Sequence, residues 1–293
     1  MATLRELKGR ITSVNSTEKI TSAMKMISSA KMHKAEQSLR KLLPFRAQIQ
    51  TIMGNLLSTD GEFSSPLIEE RPVAKAAIVA LGSDDGLCGA YNINVFKGLL
   101  LAINDIRRQY GSDTGIIVYP VGQKMQKAVR KIADNHITVA DTSSVSSKST
   151  PQQIKDFTTQ LTAAFTGQLF DRLDVLYMSY KSVSRQTLTR EPLLPVSPRT
   201  LVDNDVRPLC RPCLFEPDAN TIFTSVLPLF VRAFMQETFT QNAASEQAAR
   251  VMAMQTAADN AKKLLDELQL EYNKLRQQAI TSELLDILGG QVR

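Results

Sequence analysis

The sequence predicts an α/β protein: a long antiparallel coiled coil formed by the N- and C-terminal helices, with a central domain on a mainly parallel sheet between them. Between positions 229 and 288 there is neither glycine nor proline, and Ala, Leu, Gln, Glu and Lys dominate; these residues favour helix. The first 58 residues repeat apolar positions at the spacing of a partner helix. The middle alternates short apolar runs with amphipathic stretches, the signature of strand-helix-strand units.

In the N-terminal segment, 1–58, Leu4, Leu7, Ile11 and Val14 fall at alternate steps of three and four. After the polar stretch 15–19, Ile20, Met24 and Ile27 are expected to resume the stripe. Pro44 is expected to kink the helix or end its first part, because proline lacks the amide proton and collides with the preceding turn. Ser22, Ser28, Ser29 and Ala30 offer a small-residue surface, which the alanine-rich stretch 243–258 can approach closely.

The central domain is expected over 73–200. Pro66 and Pro72 bracket a loop, after which strands are predicted at 76–81, 116–121, 137–140 and 174–180. Helices are predicted at 94–109, 123–133 and 152–169, and an edge strand at 188–196. The alternation implies right-handed crossovers and a Rossmann-like sheet. A serine-rich loop occupies 142–150, and a proline-punctuated connection, 192–217, leads back to the C-terminal segment, 218–293.

That last segment would make a helix of about 60 residues and about 90 Å, too long for a compact domain of this size to enclose. Met254, Ala258, Ala261, Leu265, Leu268, Tyr272, Leu275 and Ala279 alternate steps of four and three. A 3.5-residue period predicts a left-handed supercoil with a partner helix.

At 293 residues and 43% hydrophobic content the chain can fill a core, and its formal charge of +6 favours an acidic partner. The basic residues concentrate early: up to Lys41 there are nine Lys and Arg against three acids. Cys88, Cys210 and Cys213 are too few and too uneven for a disulfide framework, which suggests a reducing compartment. No apolar run reaches the roughly 18 residues of a membrane span, and the acids Glu6 and Glu18 argue against a leader peptide, so Met1 onward is read as mature chain.

The stretch from Gly82 to Gly89 lies where a nucleotide loop would, between a strand and a helix. It lacks the Gly-Lys-Ser/Thr of a phosphate cradle and the glycine spacing of a dinucleotide site, and Asp84 and Asp85 would repel phosphate. A structural turn fits better. Cys210 and Cys213 have dithiol spacing but sit in an irregular connection, and His33 and His136 do not complete a zinc set with them. No arrangement for nucleophilic or acid-base catalysis stands out. A basic coiled-coil nucleic-acid binder is an alternative, disfavoured because the basic residues lack interleaved aromatics; a nucleotide-binding enzyme using 82–89 is another.

Three blocks together resemble one family, the γ subunit of the rotary ATP synthase, over essentially the whole chain. The first runs from Ile11 through the Ala-Met-Lys-Met ending at Met26, on to Ala30 and Lys31. The second is Asp85-Gly-Leu-Cys-Gly-Ala-Tyr-Asn92. The third runs from Ala244 to Met254, through Tyr272, Asn273 and Lys274, to the Ile280–Gly290 signature. The resemblance implies a non-catalytic rotor shaft, without a cofactor or nucleic acid, inside the ring of alternating α and β subunits. It would couple ion translocation through the membrane c-ring to ATP synthesis or hydrolysis on the β subunits.

Carried over by position, Met24 and Lys25 fall where the shaft meets an acidic β-subunit loop. Arg276 and Gln277 match a pair that hydrogen-bonds a β-subunit loop near the tip, and Thr281 and Glu283 belong to the signature beyond. Arg250 matches a position that couples to the Met24 region. Glu216 matches a foot residue near the membrane ring. Gln291 stands in place of the family's usual alanine, and Cys213 in place of a commonly aromatic residue. The chloroplast branch's inserted dithiol loop is missing. The resemblance also implies an ε-subunit partner and a peripheral location on the cytoplasmic face of a bacterial inner membrane.

Overall fold

The computed structural model describes residues 3–58, 63–134, 136–197, 201 and 215–290, without the side chains of 286 and 288–290. Cys210, Cys213 and Gln291, singled out in the sequence, lie outside the described residues. Helix α1 spans Leu4–Leu57. It opens on a capping box in which the Glu6 amide donates to Thr3 Oγ1 and the Thr3 amide donates to Glu6 Oε2 at 2.8 Å, so two otherwise unpaired donors are satisfied. Of the kink or end expected at Pro44, the end does not occur, and the helix continues through it. Pro44 and Arg40 are both exposed, so the Arg40 carbonyl that loses its partner can turn to water.

The C-terminal helix is α5, Ala219–Gly290, 72 residues running through Pro228. At 1.5 Å per residue it is about 108 Å long. Asp218 starts it, accepting the Thr221 amide at 2.8 Å and the Thr221 hydroxyl at 2.6 Å. These bonds hold the Asp218 carboxyl below the usual carboxylate range.

Two cross-links fix the direction of the pair. Lys25 bonds Gln255 at 2.7 Å and Arg46 meets Glu237 at 2.9 Å, so partner numbers fall as α1 rises and the helices are antiparallel. On α5 the expected seam from Met254 to Ala279 is buried or half-buried at every position. On α1 the seam differs from the expected stripe. Leu7, Thr21, Ser28, Met32, Leu39, Ile49, Met53 and Leu56 are buried, and Ile11, Val14, Glu18, Lys25, Ala35, Leu42 and Arg46 are half-buried. Together they keep steps of four and three from Leu7 to Leu56. Ile20 and Ile27 are instead 60% and 57% exposed, because the heptad that begins at Leu7 runs on through polar positions.

The central elements are β1 (Lys75–Leu81), α2 (Tyr91–Tyr110), β2 (Gly115–Val121), α3 (Gln123–Val129), β3 (Ile137–Val139), α4 (Pro151–Thr166), β4 (Arg172–Ser182) and β5 (Arg185–Leu194). The sheet order is β3-β2-β1-β4-β5. The first four strands are parallel and β5 is an antiparallel edge. α3 stops short of 133, where Lys131 and Ile132 bond back only three residues.

Successive residues of β1 serve two cores, as strand alternation requires. Ala76, Ile78 and Ala80 pack with α2 and α3. Ala77, Val79 and Leu81 share the other core with α4, the end of α1 (Ile49, Met53, Leu56) and the start of α5 (Phe223, Leu227, Phe230, Phe234). One end of the two-helix rod is therefore a layer of the domain, while the other runs free of it.

Candidate functional site

The joint between rod and domain is a polar knot around the loop that follows β1. Asp84 accepts the Gln123 amide at 3.1 Å on one oxygen, and the Ser147 amide and hydroxyl at 3.1 and 3.0 Å on the other. Asp85 pairs with Lys148 at 2.7 Å, and that hydrogen bond is the main cause of its lowered pKa. The turn needs glycine nearby: at Gly122, φ is +93° and an added Cβ would come within 2.8 Å of the Ser83 backbone.

From the rod, Arg250 closes the knot. It is 5% exposed, donates from Nε to the Gly86 carbonyl at 3.2 Å, and reaches the Asp85 carbonyl at 3.4 Å and Glu246 at 2.9 Å through a terminal nitrogen. Glu246, one turn earlier, is 1% exposed. Burial raises its pKa even against the attraction of Arg250.

A doubly wound sheet offers a ligand crevice where its strand order reverses, beyond the carboxyl ends of two neighbouring strands. Here that point lies between β1 and β4, and α5 fills it. Asn242 donates to the Gly82 carbonyl at 3.2 Å, and accepts the Tyr91 hydroxyl at 2.6 Å and the Met178 amide at 3.4 Å. Ser245 donates to the Met178 carbonyl at 2.8 Å, and Ser179 to Gln241 at 2.8 Å. The glycine-bearing loop is a structural turn whose neighbouring crevice is occupied by the chain's own helix.

The residues named by position are spread along the rod. Met24 and Lys25 are half-buried, about two turns beyond the level of Arg250; Lys25 lies in the seam, bonded to Gln255, which in turn holds Asp259 at 2.9 Å. Arg250 is level with Lys31 rather than Met24, and its hydrogen bonds among the described residues go to the β1 loop and Glu246. Arg276, Gln277, Thr281 and Glu283 are exposed near the free end, where the Thr281 hydroxyl donates to the Gln277 carbonyl at 2.9 Å. By the register of the Lys25–Gln255 pair, α1 ends opposite about residue 276. Past it Ile280, Leu284, Leu285 and Ile287 are 45–64% exposed, a single helix with apolar flanks. Glu216 is exposed beside the start of α5, at the opposite end.

Glu246, Asn242 and the Arg46–Glu237 pair went unnoticed in the sequence. The four-residue step from Glu246 to Arg250 on a helix was the one available signal; the other partners are distant in sequence. No helix among the described residues is long and apolar enough to cross a membrane.

A family model described as ATP synthase matches residues 3–292. An ATP synthase gamma chain from Bacteroides thetaiotaomicron is 38% identical over 302 residues, with all of both chains covered. One from Bacteroides fragilis is 40% identical over 296 residues, again with complete coverage. Among solved structures, a chain of the Euglena gracilis mitochondrial ATP synthase has a TM-score of 0.59 at 19% identity, covering 98% of this chain and 93% of that one.

Proposed function

The chain belongs to the ATP synthase gamma chain family, the non-catalytic rotor shaft of that complex, and from this premise we propose how its geometry couples rotation to chemistry. The observation that carries the proposal is that α1 and α5 are antiparallel partners whose one end is a layer of the α/β domain's core. Torque applied at the domain reaches the rod through packed side chains rather than a hinge. Each buried seam side chain contributes about 1.5–3 kcal/mol, so the seam beyond Met254 resists separation by on the order of 10 kcal/mol.

The rod is asymmetric: it has two helices along most of its length, one at the tip, and a domain on one side. Turning inside a ring of α and β subunits, it presents a different face to each β subunit in turn and biases each between open and closed states. Met24, with Lys25 beside it in the seam, meets an acidic β-subunit loop, and the basic face around Lys31 follows that loop by salt-screened attraction. Arg276, Gln277, Thr281 and Glu283 engage β subunits near the tip, and Arg250 links the rod to the loop that carries Asp85. Glu216 meets the c-ring at the foot, with the ε subunit as a further partner. The protein is peripheral, at the cytoplasmic face of a bacterial inner membrane, and passes on the motion of an ion-driven ring.

Co-expression with the α and β subunits tests the proposal. This chain is expected to co-purify with them and to raise their ATPase rate. A ring that excludes it, or hydrolyses ATP equally fast without it, would overturn the reading.

A further inference from the structure

On the side of the rod facing α4, two adjoining hollows of about 640 and 460 Å³ share Leu42, Pro151 and Gln236. They make one groove between α1, α5 and the start of α4. Its lining is apolar at the base, with Leu42, Ile154, Phe239 and Ala243 in one part and Phe45, Leu229 and Ala233 in the other. Phe45 and Leu229 remain 51% and 38% exposed, so the floor of this part is open to an apolar partner.

The rim is cationic. Lys31, Lys34, Lys41, Lys155 and Arg232 line the groove, and among the described residues none of the five lies within ion-pair distance of a carboxylate. Lys148, the sixth, is the exception through Asp85. Five like charges around one apolar trough repel one another, and an anionic occupant relieves that cost. A phosphate-bearing ligand would use the charges and leave the apolar floor in water. From Lys31 to Phe45 the α1 wall is about 21 Å long, the length of about 14 helical residues.

We propose that this groove is a docking site for an acidic amphipathic helix of a partner protein, its apolar stripe on the Leu42–Phe45 floor and its Glu or Asp flanks against Lys34, Lys41 and Arg232. It is the helix-in-groove mode of recognition. The site lies between the Met24–Lys25 contact and the foot, and shares only Lys31, at its upper edge, with the basic face that follows the β-subunit loop.

The probe is a fluorescein-labelled 15-residue helical peptide with Leu at i, i+3, i+4 and i+7 and Glu on both flanks, titrated against the full-length chain by anisotropy. Binding is expected, weakening with salt, and at least about tenfold weaker for the Lys34→Glu/Lys41→Glu/Arg232→Glu variant, a difference of about 1.4 kcal/mol. A peptide of the same composition with its apolar stripe scrambled is expected to bind at least about tenfold more weakly. Because Lys34 and Lys41 are exposed and Arg232 is half-buried at the groove, outside the packed cores, the variant is expected to assemble with the α and β subunits and stimulate their ATPase as the parent does. No binding, equal binding by the scrambled peptide, or preferential capture of duplex DNA or anionic vesicles by the same residues would overturn the proposal. Loss of ring assembly or ATPase stimulation in the variant would also overturn it, by assigning these cations to the ring contact.

Discussion

Lys25 Nζ donates a 2.7 Å hydrogen bond to Gln255 Oε1 across the rod, placing a charged side chain at a seam position where the heptad calls for an apolar one. A single polar seam contact fixes register at some cost in stability. In a double-mutant cycle, Lys25→Ala and Gln255→Ala are expected to couple by about 1 kcal/mol, read by urea denaturation of the full chain. Additive losses would mean that the pair does not bind in solution.

Arg46 and Glu237 meet at 2.9 Å where the rod enters the domain, and the Glu237 side chain is only 3% exposed. Gln241 donates to the other Glu237 oxygen at 2.7 Å, and the Arg46 guanidinium lies 5.0 Å from the Phe234 ring centroid. Removing the cation leaves a buried carboxylate with one neutral partner. Arg46→Met is expected to cost about 3 kcal/mol, measured by thermal or urea unfolding, and Arg46→Met/Glu237→Leu to recover most of it.

Asn242 holds Gly82, Tyr91 and Met178 together beneath α5. Asn242→Leu keeps the number and branching of side-chain heavy atoms but orphans buried donors and acceptors, with an expected cost of about 3 kcal/mol. Hydrogen exchange over 82–89 should quicken more than exchange in β2, which lies farther from the crevice.

Glu246 supplies a pH dependence whose sign is fixed. Its pKa is raised in the folded chain above the ordinary glutamate value, so between the two values the folded state holds a proton that the unfolded state has released. Its destabilising effect is complete above the folded pKa, shrinks as pH falls through the window, and is absent below about 4.5. The stability difference between parent and Glu246→Gln is therefore expected to change across that window and to level off on either side. A difference that stays flat from pH 4 to pH 8 would contradict the burial argument.

At the proposed ring contacts, Met24→Lys is expected to lower the number of protons pumped per ATP hydrolysed by adding an ion pair that must break at each step. Arg276→Ala is expected to slow turnover of the assembled complex while leaving nucleotide affinity of the ring without this chain unchanged.

The α5 seam from Met254 to Ala279 was legible because apolar residues fill it, and the sheet because its parallel strands stand out as short apolar runs, although β3 buries only Ile137. The α1 seam was only half legible. Thr21 is buried there by returning its hydroxyl to the Thr17 and Glu18 carbonyls, Ser28 by its small size, and Lys25 by its partner on α5. Pattern reading followed Ile20 and Ile27 instead, which the rod exposes. Pro44 misled for a related reason: at an exposed position in a helix anchored by packing, it interrupts one hydrogen bond without ending the helix. The knot around Glu246 and the crevice filled by Asn242 depend on contacts between residues some 60 to 165 positions apart, beyond any local pattern.

The most direct measurement fixes the ring to a surface, attaches a bead to the α/β domain of this chain through a residue on the outer face of α2, and supplies ATP. The account predicts stepwise rotation in one direction, which stops when α1 or α5 is cross-linked to a β subunit. ATP hydrolysis with a stationary bead, or undiminished turnover after the cross-link, would contradict it.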